Sequence, residues 1–539
     1  MKEFSFLTRQ ENIEKLKNEN FDILIIGGGI TGAGVARDAA KRGLKVALVE
    51  MNDFASGTSS RSSKLVHGGI RYLENLEFKL VFEALSERSK LFEIAPHLVH
   101  PLRFMIPLFN DSRVGMFKMG LGMWLYDALA LFQTPEMHES LNASQTINRM
   151  PIVRAHDLKG SFIYSDAYMD DDRLVIETLR SAHEAGATLV NFVEVISSQI
   201  KNEKVELLEV KDSISEKSFS IKCKQVISTT GPWTDLVGPK LVSDWKRILR
   251  PSKGIHLTLA KSRLPLTSAV VMAVEKSSRI VFAIPRHEMV IIGTTDTDFS
   301  ENPSQVSVTA QDVKYLLEVT NQYFPNANLT AADILASYAG VRPLVKDDSD
   351  SEGKTSREHV ILEDPRGFMF VAGGKYTTYR LMSEQIVDKI IKYRPIEDRL
   401  FFLPCETKRA LNKFVDTESY HQSQAKARSK KEKDLSSKYG MEAYQMIESY
   451  GDDLSSLEIE AHHAIDKSMC LNLVDFYSRR THEMLSIADH GMSSLEKIAD
   501  VFQEKMGWTE EHRIQQIQEY KGYVKKELSW RTSFNLETL

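Results

Sequence analysis

Two periods of apolar residues alternate along the first two thirds of the chain. From Phe21 to Glu50 the sequence runs "FDILIIGGGITGAGVARDAAKRGLKVALVE". Residues 23–26 are continuously apolar and rich in isoleucine, which predicts a strand buried on both faces. In "GAGVARDAAKRG" alanine and valine recur at helical spacing and the segment closes on Gly43, a helix stop. "KVALVE" returns to the strand pattern. Strand, helix and strand together make a βαβ unit, the building block of a parallel sheet.

Further strands are predicted at "ATLVNFVEVI", "KQVISTTG", "RIVFAIPR", "MVIIGTTD" and "GFMFVAGG". Residues 250–300, which hold two of these, contain several strands with turn residues between them, which fits an antiparallel substrate platform. Beyond about residue 385 the pattern becomes helical. Residues 406–436 are strongly polar and include "KARSKKEKD", which reads as a solvated helix or linker. "MEAYQMIESYG" and "SLEKIADVFQEKMGW" then carry helical spacing.

One apolar stretch stands apart. "VGMFKMGLGMWLYDALALF", Val114 to Phe132, is interrupted by Lys118 and Asp127, so it falls short of a bilayer span of roughly 20 apolar residues. Taken alone it reads as a core-facing helix, with an amphipathic helix on a membrane surface as the alternative. The N-terminal segment is polar and contains acids, unlike a signal or transit peptide.

Composition narrows the class. At 539 residues with 42% hydrophobic and 27% charged residues, the chain suits a globular protein of several units. A net charge of -5 gives no field suited to nucleic acid. The three cysteines, Cys223, Cys405 and Cys470, form no Cys-x-x-Cys pair, which argues against a disulfide framework, a dithiol centre and a cysteine metal site.

The glycines carry the first chemistry. Gly27, Gly29 and Gly32 occupy G-x-G-x-x-G at the junction of strand and helix. They allow the tight turn, the approach of a pyrophosphate and close helix packing, in that order. Gly28, Ile30 and Thr31 complete the turn, whose helix N-terminus attracts an anion. Glu50 ends the second strand at the offset of a ribose-binding acid, and its charge would repel the 2′-phosphate of NADP. The hydroxyls of Thr58, Ser59, Ser60 and Ser63 and the backbone donors of this segment, which includes Lys64, suit a second anionic group, with a surface loop as the alternative. These features predict a dinucleotide site; the choice between FAD and NAD rests on other residues.

"SSKLVHGGIRYLE", "TGPW", "KGIHL", "IIGTTD", "GVRPL", "GGKYTTYR" and "SRRTHEML" follow in order. Together with the glycine turn they resemble the FAD-dependent glycerol-3-phosphate dehydrogenase family, which includes an oxidase branch. The resemblance covers nearly the whole chain. Two positions depart from the family pattern: "STTG" stands for the commoner "NATG", and Ser383 stands where alanine is usual.

The resemblance implies an α/β, glutathione-reductase-like FAD-binding fold with an antiparallel-sheet substrate domain and a helical C-terminal domain. It places a discontinuous FAD-binding domain at 20–90, 160–245 and 340–390, a substrate-binding cap at 91–159 and 246–339, and the helical domain at 400–539. The implied reaction is oxidation of sn-glycerol 3-phosphate to dihydroxyacetone phosphate, with a hydride passing from C2 to flavin N5 and electrons passing to a quinone. The protein would sit on the inner, cytoplasmic face of the cell membrane, with part of residues 98–132 at the interface and a homodimer as the candidate assembly. An oxidase making peroxide, an amino-acid oxidase and a noncatalytic flavin-binding protein are the rival readings.

Residue roles follow from the same motifs. Arg71 and Arg342 match substrate positions, where guanidinium forks suit a phosphate. Tyr72, His256, Lys375 and Thr378 join them as substrate contacts. His67 and His256 are the candidate proton acceptors, with His67 placed ahead, because imidazole exchanges protons near neutral pH. Arg342 and Lys375 would stabilise developing negative charge. Gly68, Gly69, Val193, Gly231, Gly373, Gly374 and Lys375 complete the expected cofactor surround, together with His67.

Overall fold

Ile23, Leu24 and Ile25 are completely buried, and each side chain of that size contributes about 1.5–3 kcal/mol on burial. That is why the run does not alternate: the strand Ile23–Ile26 lies in the middle of a sheet covered on both faces. The computed structural model describes residues 2–274, 279–346 and 359–537; for Arg71, Asn75 and residues 535–537 it describes the backbone only.

Three sheets organise the described residues. The first has six strands in the order His359–Asp364, Phe368–Gly373, Val226–Ser228, Ile23–Ile26, Val46–Val49, Thr188–Val190. Its neighbours are parallel except at the His359–Asp364 edge. The helices Ile30–Lys41, Asp171–Glu184 and Tyr379–Lys392 pack together beside it. Ser383 is accommodated there because its buried hydroxyl donates to Tyr379 O at 2.8 Å.

A second, four-stranded sheet joins Asn20–Phe21, Ser218–Cys223, Lys204–Asp212 and Val193–Lys201. The third is the large platform. Ser252–Ala260 is its hub, pairing antiparallel with Met289–Gly293, Thr297–Asp298 and Ile334–Arg342. Its far half is built by Val99–Phe109 and Leu158–Met169, paired almost end to end. The domain limits expected at residues 160 and 340 therefore fall inside strands of this platform. A strand's own pattern shows that it is buried, not which sheet it joins.

From Thr417 onward the chain is helical, and Asp416 and Ser429 cap the two polar helices Thr417–Lys426 and Lys430–Tyr439. A separate core forms where Phe476, Tyr477, Phe502 and Tyr520 meet.

The segment Val114 to Phe132 corrects the reading of its residues as a core-facing helix. The helix Met116–Leu129 buries only Met123, Tyr126 and Asp127. Phe117 is 82% exposed, Trp124 59% and Leu121 58%, and Leu131 and Phe132 continue the exposed apolar set. Asp127 does not interrupt that face, because it points inward, where it accepts from His138 Nδ1 at 2.6 Å. The helix packed beside it, Phe78–Ile94, exposes Phe78 and Phe82. No helix among the described residues is long and apolar enough to cross a membrane.

Candidate active site

The glycine turn is built by exclusion. A Cβ on Gly32 would stand 2.0 Å from Gly27 O, and one on Gly28 would stand 2.7 Å from the Phe54 ring. Gly27 has φ +105°, a conformation that L side chains rarely adopt. The helix Ile30–Lys41 begins there, with its positive N-terminal end at the mouth of a large cleft. Glu50 closes the turn by accepting from Gly28 N at 2.7 Å and Asn52 N at 2.9 Å. Burial pushes its carboxyl up, and these two N–H groups pull against that. Thr229, in the unusual "STTG", donates to Ile26 O at 3.0 Å and Gly27 O at 3.1 Å, so it ties the neighbouring strand to the turn.

The cleft runs from this turn to the edge of the platform. Gly27, Gly29, Ile30, Thr31, Glu50, Thr58, Ser59, Ser63, His67, Tyr72, Val193, Gly231, His256, Arg342, Gly373, Gly374 and Lys375 all line it. Other expected contacts lie behind the wall. Gly28 and Gly32 shape the turn, and Gly69, at φ +75°, shapes the loop after His67. Gly68 N–H meets Tyr126 Oη at 3.0 Å and Asp166 at 3.3 Å. Ser60 has its hydroxyl near Gly57 O, at 3.5 Å. Lys64 is buried and turns its ammonium to Asp171 and Asp172, so the cation expected beside the cofactor is spent in the protein interior. The buried Thr378 donates to Lys375 O at 3.3 Å. Arg71 lies in the turn Ile70–Asn75, and its side chain is outside the described residues.

The family motifs converge here. His67 N–H donates to Thr377 Oγ1 at 3.3 Å, which fastens "HGGIRY" to "GGKYTTYR". Lys375 Nζ sits 3.5 Å from the centre of the Tyr72 ring, a cation–π contact. Arg342 ends the strand Ile334–Arg342 and is aimed by Thr294 Oγ1 at 2.8 Å and Thr295 O at 3.1 Å; Asp296, at 3.5 Å, is a distant counter-charge. His256 Nε2 lies 2.9 Å from Ser63 Oγ, and its ring stacks on Tyr338 at 4.8 Å. Gly293 stands opposite, where a Cβ would come within 2.2 Å of the imidazole.

Burial first, then the charges of Arg342 and Lys64, hold His256 well below the usual histidine range. It is therefore neutral at physiological pH and a poor proton acceptor beside those cations. Asp170, His287 and His482 place donor atoms within 4.8 Å of one another, but Arg286 already pairs with Asp170, so this cluster is an ion-pair junction.

Residues that the motifs did not single out also line the cleft: Asn52, Arg61, Ser62, Thr230 and Trp233. All but Asn52 lie within or beside the quoted stretches, so proximity was the available signal.

Two family models match consecutive parts of the chain: FAD dependent oxidoreductase over residues 22–380, and the C-terminal domain of alpha-glycerophosphate oxidase over 412–513. The aerobic glycerol-3-phosphate dehydrogenase of Staphylococcus saprophyticus is 37% identical over 530 residues, 94% of each chain. The chain belongs to the FAD-dependent glycerol-3-phosphate dehydrogenase family. The dehydrogenase of the same name from Staphylococcus haemolyticus is 41% identical over 405 residues, covering 75% of this chain and 73% of that one. A crystal structure of the Bacillus halodurans glycerol-3-phosphate dehydrogenase complexed with FAD superposes with a TM-score of 0.79 at 30% identity, over 97% of this chain and 98% of that one.

FAD is this family's cofactor, and the cleft fits it. The glycine turn at Gly27–Gly32, the acid Glu50 and the positive-φ glycine pair Gly373–Gly374 offer an anion seat, a ribose acceptor and close backbone approach at successive points of one cleft.

The buried histidines make one consequence measurable. His97, His256 and His482 are held well below the usual range and His100 at about 4, in each case first by burial. The folded state refuses protons that the unfolded chain accepts below about pH 6.5. Stability from these groups is thus complete above that pH and lost as pH falls through it. The slope is about 1.4 kcal/mol per pH unit for each histidine. The melting temperature is expected to be flat from pH 8 to 7 and to fall steeply from pH 6.5 to 5; a flat curve down to pH 5 would contradict it.

Proposed function

We propose that the chain oxidises sn-glycerol 3-phosphate to dihydroxyacetone phosphate and passes the electrons to a membrane quinone. The observation that carries the substrate reading is the gathering of Arg342, Lys375, His67 and His256 in the cleft that begins at the glycine turn. The names of the relatives agree with it.

The substrate is a secondary alcohol with a phosphate dianion. Arg342, with Arg71, binds the phosphate by a guanidinium fork, and Tyr72 and Lys375 hold the alcohol end. Thr378 acts through the Lys375 turn that its hydroxyl braces. FAD, when bound, supplies the acceptor for the hydride that leaves C2. The C2 hydroxyl proton goes to a histidine, so one hydride and one proton leave as the C2–O bond becomes a carbonyl. His67 is assigned that proton, because burial and then the charges of Arg342 and Lys64 make His256 reluctant to take one, and His256 serves better to orient the alcohol.

Anaerobic addition of glycerol 3-phosphate should bleach the yellow holoenzyme. Colour that persists at saturating substrate would sink the reading. Comparing quinone reduction with peroxide release then separates the dehydrogenase from the oxidase.

The exposed face of Met116–Leu129 supports docking at a membrane surface, where a quinone is found. Phe117→Asp combined with Trp124→Asp is expected to weaken vesicle binding by about 10–100-fold per aromatic removed. Turnover with a soluble acceptor should not change. Undiminished sedimentation with phosphatidylglycerol vesicles would show that another surface binds.

A further inference from the structure

Asp53 lies three residues beyond Glu50 and is 1% exposed. Its Oδ2 accepts from Arg479 Nε at 2.8 Å and Arg480 Nη1 at 2.9 Å. Its Oδ1 accepts from Arg480 Nη2 at 3.0 Å and from Asn191 Nδ2 at 3.3 Å. Both arginines come from the C-terminal helical domain, at the end of the helix Leu473–Arg479, and both are buried. Arg480 is itself fixed by Ser468 Oγ at 2.9 Å and Ser468 O at 3.0 Å. Burial pushes Asp53 up, but Arg480 and Arg479 outweigh it and keep the carboxyl below its ordinary range.

The same loop is held at its other end. Arg61 Nη2 donates to Tyr523 Oη and Glu527 Oε1, each at 2.8 Å, on the helix Glu510–Glu527. Between the two anchors lies the polar stretch that lines the cofactor cleft, including Ser56, Gly57, Thr58 and Ser59. Ser59 Oγ accepts from Ile30 N at 3.0 Å, at the start of the glycine-turn helix. Phe54, next to Asp53, is fully buried and packs on Gly28. Phe54 and Ala55 anchor the start of the loop in the core, but residues 56–61 are small or polar, only half buried, and add little apolar surface of their own. Its order must come from elsewhere, since fixing a flexible backbone is entropically costly.

We propose that the C-terminal helical domain is part of the FAD-holding apparatus: Arg479 and Arg480 on Asp53, and Tyr523 and Glu527 on Arg61, are positioning residues that preorganise the cleft-lining loop for the cofactor. The inference rests on FAD binding and not on the substrate reading. Coupling of this kind is reciprocal, so bound FAD in turn holds the C-terminal helices.

The test follows release of FAD from diluted holoenzyme by flavin fluorescence. Arg480→Gln is expected to raise the FAD dissociation constant by about 5–150-fold, the usual range of coupling between two sites. Arg480→Lys, which keeps the charge but loses the planar fork, should fall between Gln and the parent. With FAD saturating, the KM for glycerol 3-phosphate should stay at the parent value. A folded Arg480→Gln protein that keeps the parent's FAD affinity would overturn the proposal and leave a purely structural ion pair. If the variants do not fold, hydrogen exchange on the unaltered chain decides: residues 473–481 and 510–527 should lose protection when FAD is removed, and unchanged protection there overturns it.

Discussion

Replacing His67 with glutamine is expected to lower the rate of anaerobic flavin reduction by about 10²–10⁴-fold, the usual contribution of a positioned general base. Two histidines line the cleft, and their surroundings set them apart. His256 is buried, its Nε2 faces Ser63, its ring is stacked on Tyr338, and Arg342 and Lys64 oppose its protonation. His67 lies on the loop between Val66 and Gly68, only half buried, with its backbone pinned by Thr377, and it lines the cleft. His67→Gln should retain FAD, because the contact with Thr377 is made by the backbone. If His67→Gln reduces its flavin at the parent rate while His256→Gln does not, the two roles are exchanged.

How far the sequence could be read depends on how local each feature is. The turn Gly27–Gly32 and Glu50 lie within one βαβ unit, so spacing alone located them. The platform was harder. "RIVFAIPR" and "MVIIGTTD" announce strands, yet nothing in Leu158–Met169 says that it pairs with Val99–Phe109 rather than with the parallel sheet. The helix Met116–Leu129 is ambiguous from its residues for a related reason. Asp127 looks like a break in an apolar face until it is seen paired inside with His138.

In the site, motif residues were legible and their supports were not. Lys64 reads as an anion-binding cation beside a run of serines, but Asp171 lies 107 residues away and takes its charge. Thr229 bonds the glycine turn across 202 residues. Asp53 sits beside Glu50 in sequence, and its meaning is supplied by Arg480, 427 positions later. Such pairs carry no periodic signature. They are set by how the sheets and the C-terminal helices meet.

The second large effect is expected from Arg342→Ala. The guanidinium ends a platform strand and is held in place by Thr294 and Thr295, with Asp296 only loosely paired. An arginine aimed in this way into the cleft can present its fork to a phosphate dianion. Removing one partner of a desolvated charge pair costs about 3–5 kcal/mol, which is roughly two to three and a half orders of magnitude in kcat/KM. Arg342→Lys should recover part of the loss, since it restores the charge without the bidentate fork. The decisive comparison uses glycerol, which lacks the phosphate. The parent enzyme should discriminate strongly against it, and Arg342→Ala should erase most of that discrimination by losing activity on glycerol 3-phosphate alone. The same change removes a cation that opposes protonation of His256, so that imidazole should become easier to protonate in the variant. An Arg342→Ala protein that sheds its FAD, or that keeps the parent's preference for the phosphorylated alcohol, would remove Arg342 from the substrate site.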